Sequence, residues 1–253
     1  MQKLTAIEKT PMLKRYKIKF LIRLFVFIFI FGFYLSDKEL ICELMLQPVW
    51  RGISPIHVLW LAFMGIMILH IFPTDKLSMA LRKAEKDNFQ KNEKYSELEL
   101  LQFVQTQNIR AWTVMLLWLS FNAIFGVLYL FQTMDEADLL MLTVFYFLCD
   151  YICILFYCPF QSVIMKNRCC VNCRIYDWGH FMMFTPMLFI RNFFSWSLFF
   201  TSLVVLIKWE ITYAKYPERF WSGSNATLQC SNCKDKTCQI KTRLKSFAGG
   251  GKE

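Results

Sequence analysis

The sequence predicts an all-α, polytopic integral membrane protein with about five apolar segments, and three observations carry that prediction. Apolar residues make up 56% of the 253-residue chain and aromatic residues 17%, where a soluble domain carries about 45–50% apolar residues. Only 19% of residues are charged. Those charges gather in residues 1–23, 74–110 and 208–253, and the stretches between are nearly bare of charge, the pattern of lipid-dissolved helices joined by wetted loops.

Residues 1–19 form a basic leader with Lys14, Arg15, Lys17 and Lys19. The first apolar run, FLIRLFVFIFIFGFYLS at 20–36, follows directly. A secretory signal also joins a basic start to an apolar stretch. No small-residue cleavage site follows here, so the run reads as an uncleaved helix. The second run, 54–72, completes a helix pair over 20–73; Pro55 suits a first helical turn, where its missing N–H costs nothing, and Pro73 closes the run. Residues 74–108 are a polar stretch of helix formers without glycine, predicting a solvated helix or helical hairpin with Leu98, Leu101 and Val104 on one face. A second transmembrane pair occupies 109–158, as runs 109–131 and 139–158 around the acidic turn QTMDEAD. A cysteine-rich loop spans 159–180. The fifth apolar segment, 181–209, is interrupted by Pro186 and by Arg191–Asn192. The basic tail 210–253 completes the chain. Trp209, Tyr213, Tyr216 and Phe220 make one helical stripe there, which fits either a membrane–water boundary or a core face.

Lys and Arg near span ends mark the cytoplasmic side. The leader is basic, and the 74–110 stretch carries seven Lys and Arg; the 37–53 and 132–138 connections each carry three acids. That places the N-terminus and the 159–180 loop in the cytoplasm. The net charge of +10 belongs to this asymmetry and not to a nucleic-acid surface, since no base-reading module is present. The partner it implies is the lipid bilayer. The tail is the difficulty. A single crossing by 181–209 puts it outside, yet it is basic. A re-entrant hairpin turning near Arg191–Asn192 returns it to the inside, provided protein covers the backbone at that depth.

The side of the tail matters because of the ten cysteines. Cys170 and Cys173 form one C-x-x-C pair, and Cys230 and Cys233 a second. Four thiolates suit a tetrahedral structural zinc, so these four are the candidate metal ligands. The gap of 56 residues between the pairs exceeds the ribbon-type spacing of about 15–20. The competing readings are an iron–sulfur cluster, a redox dithiol, or unligated thiols and disulfides. Cys169 and Cys238 are left over, and Cys149, Cys153 and Cys158 read as small hydrophobes at the end of an apolar run. Asp177 and His180 follow the first pair as candidate ligands or local hydrogen-bonding groups.

Asp150 lies inside the fourth run, where a carboxylate costs about 2.5–3.5 kcal/mol on insertion scales. It therefore needs a partner, for which Arg191, His57, His70 and Asn122 are candidates. His57 and His70 lie thirteen positions apart, nearly opposite on a helix, and do not share a metal face. Asn225-Ala-Thr matches a glycosylation acceptor. No phosphate-binding loop, nucleophile elbow, zinc-protease or dinucleotide fingerprint occurs. The sequence points to a membrane scaffold or interaction component with an architectural zinc site, and does not indicate catalysis. Alternatives are an electron-transfer or thiol-redox protein using the same cysteines, and an ion or solute transporter using Asp150.

Overall fold

The computed structural model describes residues 10–38, 54–72, 77–92, 95–167 and 169–241; Cys42, the leader 1–9 and the tail beyond 241 lie outside them. The fold is all-α. Among the described residues there are no strands beyond an isolated bridge between Lys91 and Asn225.

Among the described residues seven α-helices follow in order: α1 Pro11–Ser36, α2 Pro55–Ile71, α3 Met79–Arg82, α4 Glu97–Leu130, α5 Glu136–Leu155, α6 Gly179–Phe184 and α7 Phe193–Lys215. Their starts are written in the sequence. The Thr10 hydroxyl accepts from Leu13 N, and Pro11 opens α1. Ser54 and His57 cap α2. Ser96 with Glu99, and Asp135 with Asp138, form reciprocal capping boxes on α4 and α5. The Asn192 side chain accepts from Ser195 N at 2.7 Å to start α7.

Among the described residues four helices, α1, α4, α5 and α7, are long and apolar enough to cross a membrane, and α2 is a shorter apolar helix. Their outward faces carry Phe25, Leu35, Leu61, Trp112 and Phe193, each more than half exposed. A surface as oily as the interior is what a lipid-solvated bundle presents. The polar region resolves differently from a single helical hairpin: residues 77–92 make only the one-turn α3 and turns, while 97–108 are the first turns of α4. With 34 residues, α4 is about 50 Å long at 1.5 Å per residue and projects well past a hydrocarbon layer.

The fifth apolar segment is broken at the expected place. Residues 179–190 run as α6 and a 3₁₀ turn, Thr185–Leu188, through the middle of the bundle; the chain then turns at Arg191–Asn192 into α7. The first arm is short and covered by protein: Phe181, Met183, Phe184, Thr185, Pro186, Met187 and Ile190 are all buried. Its second arm, at 23 residues, is a full-length helix. Gly126 lets this arm approach α4, since a Cβ there would lie 2.4 Å from the Phe189 ring. Trp118 Nε1 donates to Thr185 Oγ1 at 3.1 Å from the same helix. Because α7 begins beside the start of α2 (Phe194 on His57, Trp60 Nε1 to Ser197 Oγ at 2.7 Å) and ends where Lys208 donates to Ile71 O at the end of α2, the tail returns to the end of the bundle that holds the 160–178 loop. We call this the cap end.

The first apolar run packs on the fourth through charge. Arg23 Nη1 donates to Asp150 Oδ2 at 2.7 Å and to Phe147 O at 2.6 Å, and its guanidinium lies over the Phe147 and Tyr151 rings at 4.1 and 4.0 Å. Asp150 thus pairs with Arg23 and not with any of the four partners expected from sequence. At the far end Lys38 bridges Asp135 and Asp138, and both carboxylates raise its pKa above the ordinary lysine value. The aromatic stripe after the last span takes the core reading: Trp209, Tyr213 and Phe220 are buried and pack together at 5.1 Å, while Tyr216 is exposed beneath Arg219.

Arg23→Leu leaves the Asp150 carboxylate unpaired between apolar helices and should cost about 3–5 kcal/mol, whereas Arg23→Leu with Asp150→Leu should restore near-native stability. Thermal unfolding in detergent checks this. A neutral single variant would show that the pair does not hold α1 to α5.

Candidate functional site

Three segments build the cap: 77–92, 160–178 and 217–241. The tail knits onto the first of them through backbone. Asn92 N donates to Ser224 O at 2.8 Å, Ala226 N to Gln90 O at 2.8 Å, and Arg219 Nη1 to Ala84 O at 3.0 Å. Asp235 Oδ1 accepts from Met79 N at the start of α3. Asn225, the glycosylation-type asparagine, is fully buried; its Nδ2 donates to Arg219 O and its Oδ1 accepts from Thr227. That amide is a structural bond.

Lys83 is the post of the cap. It follows α3, is 1% exposed, and donates from Nζ to Val171 O at 2.7 Å and to Cys173 O at 2.5 Å. The Trp209 and Phe220 rings flank the amine. Burial pulls its pKa down from 10.5 to about 8, with the nearby thiols Cys173, Cys169 and Cys170 opposing. Two carbonyls of the first cysteine loop are thereby satisfied by a residue from another segment.

Beneath this post lies a polar centre that the sequence indicated only in part. His70 Nδ1 and Asp177 Oδ1 are 2.8 Å apart, and the His180 ring meets the His70 ring edge-on at 4.6 Å. Burial raises the Asp177 pKa, against which the His70 bond acts to lower it. Arg174 binds Glu210 and Asn108, Trp178 Nε1 donates to Glu210 Oε1 at 2.8 Å, and Trp209 Nε1 donates to Arg174 O at 2.7 Å. A cavity of about 140 Å³ opens beside the pair, lined by His70, Asp177, Glu85, Lys208 and Trp209. A carboxylate-backed imidazole can hold or pass a proton. Thr212 completes the polar part of the lining.

The four cysteines expected as ligands occupy different surroundings. Both C-x-x-C stretches form tight turns, closed by Cys173 N to Cys170 O at 3.1 Å and Cys233 N to Cys230 O at 3.4 Å. Cys170 is buried against Ile154 O, Gln161 Oε1 and Lys241 Nζ. Cys173 faces the main core, where burial pushes its thiol up to about 12. Cys230 is exposed. Cys233 packs against a second small cluster, Ala80, Val171 and Leu228, together with Cys169. Among the described residues no three His, Cys, Asp or Glu side chains converge closely enough to hold a metal ion.

One thiol outside the four expected ligands, Cys169, stands near the cysteines of the tail. Cys169, Cys230, Cys233 and Cys238 lie within electrostatic reach of one another. The Cys169 sulfur accepts backbone N–H groups of Val171 and Asn172, and the Cys233 sulfur those of Asp235 and Lys236. In both turns the donors stand two and three residues after the cysteine. Burial raises the pKa of each thiol and these N–H groups oppose it. Asn172 acts here through its backbone N–H.

No protein-family model matches this chain, and comparison with curated proteins and with solved structures finds no match either.

Lys83 supplies a test of the cap. Between the folded value near 8 and the unfolded 10.5, the unfolded chain binds more protons than the native one, so native stability rises with pH across that window; below it the burial penalty is fully present. Lys83→Met lacks this dependence. From about pH 8 to about pH 10.5 the stability difference should shift toward wild type by roughly 3 kcal/mol, read by thermal unfolding. A pH-independent difference would contradict a buried amine.

Proposed function

We propose that this protein is a membrane scaffold component whose cap carries a structural thiolate zinc site, with Cys169, Cys230, Cys233 and Cys238 as ligands. Cys230 and Cys233 keep the role read from the sequence. Cys169 and Cys238 replace Cys170 and Cys173, which are engaged inside the bundle. The observation that carries this reading is the pair of matched turns on one apolar cluster: Cys169 and Cys233 share the Ala80–Val171–Leu228 surface, and each sulfur receives two backbone N–H groups. Such bonds favour a thiolate and orient it as a ligand. The four sulfurs do not converge as the chain stands, so zinc would have to draw them onto one ion, and in doing so it would lock the 160–178 loop to the tail and, through Asp235, to α3. The role is architectural.

An iron–sulfur cluster is the rival occupant of the same four thiols. Transport through Asp150 has less support, because its carboxylate is held by Arg23 between helices. The cap end also carries the basic residues near span ends (Arg15, Lys17, Lys83 and Arg110), whereas Asp135, Glu136 and Asp138 sit at the opposite end. By the positive-inside rule the cap and the N-terminus are cytoplasmic.

Elemental analysis of protein purified anaerobically without added metal should find about one zinc per chain. Cys169→Ser and Cys233→Ser should each release it with losses of stability that are less than additive in the double variant, while Cys173→Ser retains it. Brown, iron-containing protein selects the cluster instead; metal-free protein with additive losses rejects both. A fluorescent protein fused after residue 253 should fold and fluoresce in the cytoplasm of a bacterial host, and a dark fusion with full-length expression would place the cap on the other side.

A further inference from the structure

Outside the zinc reading, three side chains from separate segments meet at the cap end: Gln161 of the Phe160–Ile164 turn, Cys170 of the first cysteine turn and Lys241 of the tail. Lys241 donates from Nζ to Gln161 Oε1 at 2.6 Å and to Cys170 Sγ at 3.0 Å, and the Cys170 thiol donates to the same Gln161 Oε1 at 3.5 Å. Each of the three therefore touches the other two. Cys170 is 6% exposed and Gln161 4%. Every member is held from its own side. Lys83 fixes the carbonyls of Val171 and Cys173 just past Cys170. Gln161 O accepts from Asn167 N at 2.9 Å, and Gln161 N donates to Cys158 Sγ at 3.4 Å. Ile240 packs against Leu13, Tyr16, Tyr151 and Leu155 where α1 meets α5, which sets its neighbour Lys241 over the carboxamide. Gln161 Nε2 is buried and finds no partner among the described residues. A buried amide nitrogen without a bond is the exception in folded proteins. A thiol, an acyl group and an amine in mutual contact are the three parts of an acyl transfer.

We propose that Gln161 and Lys241 become joined by an isopeptide bond, with Cys170 as the nucleophile that carries the acyl group from one to the other. The Cys170 sulfur attacks the Gln161 carboxamide carbon. Lys241 Nζ, donating to Oε1, stabilises the charge that grows on that oxygen. The carbon–nitrogen bond breaks, the thiol proton goes to Nε2, and ammonia departs from a thioester between Cys170 and Gln161. That ammonia takes a proton from the Lys241 ammonium and leaves as ammonium ion. The freed Lys241 amine attacks the thioester carbon and gives a proton to the sulfur as the carbon–sulfur bond breaks, which restores the Cys170 thiol. One carboxamide and one ammonium side chain thus become one amide link and one ammonium ion, with no change of oxidation state. Burial selects the product. Water would hydrolyse an exposed thioester, whereas here the amine is already the neighbour in contact. The link ties the tail covalently to the loop after α5, and none of the four thiols of the zinc reading takes part.

The test uses the full chain, purified in lipid nanodiscs under reducing conditions and measured by intact mass and peptide mapping. The expected result is a chain lighter than its sequence by one ammonia. A branched peptide should join residues 161 and 241 and withstand both reductant and hydroxylamine. Lys241→Arg, which keeps the charge, should lose the branched peptide, and Cys170→Ala should lose it as well. Circular dichroism of each variant shows that it is folded. A folded wild-type chain of full sequence mass, with separate 161 and 241 peptides, overturns the proposal. So does deamidation at position 161 without a link, a hydroxylamine-labile thioester that goes no further, or a link that persists in Cys170→Ala. Zinc content measured on the same samples separates this outcome from that of the metal site.

Discussion

The architecture depends on one constraint: backbone at membrane depth must satisfy its own polar groups or be wrapped in protein. Residues 179–192 cannot span as a continuous helix, because Pro186 and the Arg191–Asn192 break interrupt the ladder. The chain still passes from the cap end to the far end here, by running down the centre of the bundle. Phe189 N, Ile190 N and Asn192 N find carbonyls two to three residues back, Thr185 bonds to Phe181 O and receives Trp118, and apolar side chains enclose the rest. Only with this passage buried does α7 return the tail to the cap. Every contact between the two cysteine-bearing segments follows from it.

The polar groups inside the bundle obey the same economy. Arg23 and Asp150 are the lone charges of their apolar runs, and they meet between antiparallel α1 and α5. Gly179 assists, since a Cβ there would sit 2.9 Å from Asp150 Oδ1. Asn122 bonds to Trp118 O and receives the Tyr146 hydroxyl, and His70 takes Asp177. An unpaired carboxylate or imidazole in such surroundings would be neutralised or would draw in water. Each pair ties together elements far apart in sequence, so charge acts here as a register device between helices whose apolar faces are otherwise interchangeable.

In the cap, neighbouring cysteines have opposite fates. Cys169 faces the small cluster shared with Cys233, while Cys170, the next residue, points into the bundle toward Gln161 and Lys241. The turn alternates its side chains, and Lys83 fixes it from behind by holding the carbonyls of Val171 and Cys173. A C-x-x-C spelling therefore supplies a tight turn without stating which sulfurs share a surface. The tail contributes to both groups of thiols, with Cys233 on one side and Lys241 on the other.

The sequence by itself determined the fold class, the start of α2 at Pro55 and the break near Arg191, because hydrophobic runs, prolines and capping residues act locally. It also contained the Arg23–Asp150 pair, legible as the two lone opposite charges of separate spans, although Arg23 was not among the partners expected for Asp150. Which cysteines share a surface, that Lys83 is buried, that Asn225 is a structural bond, and that 97–108 continues α4 were decided only by tertiary structure. Those facts depend on where a side chain points after distant segments pack, and spacing along the chain carries no information about that direction.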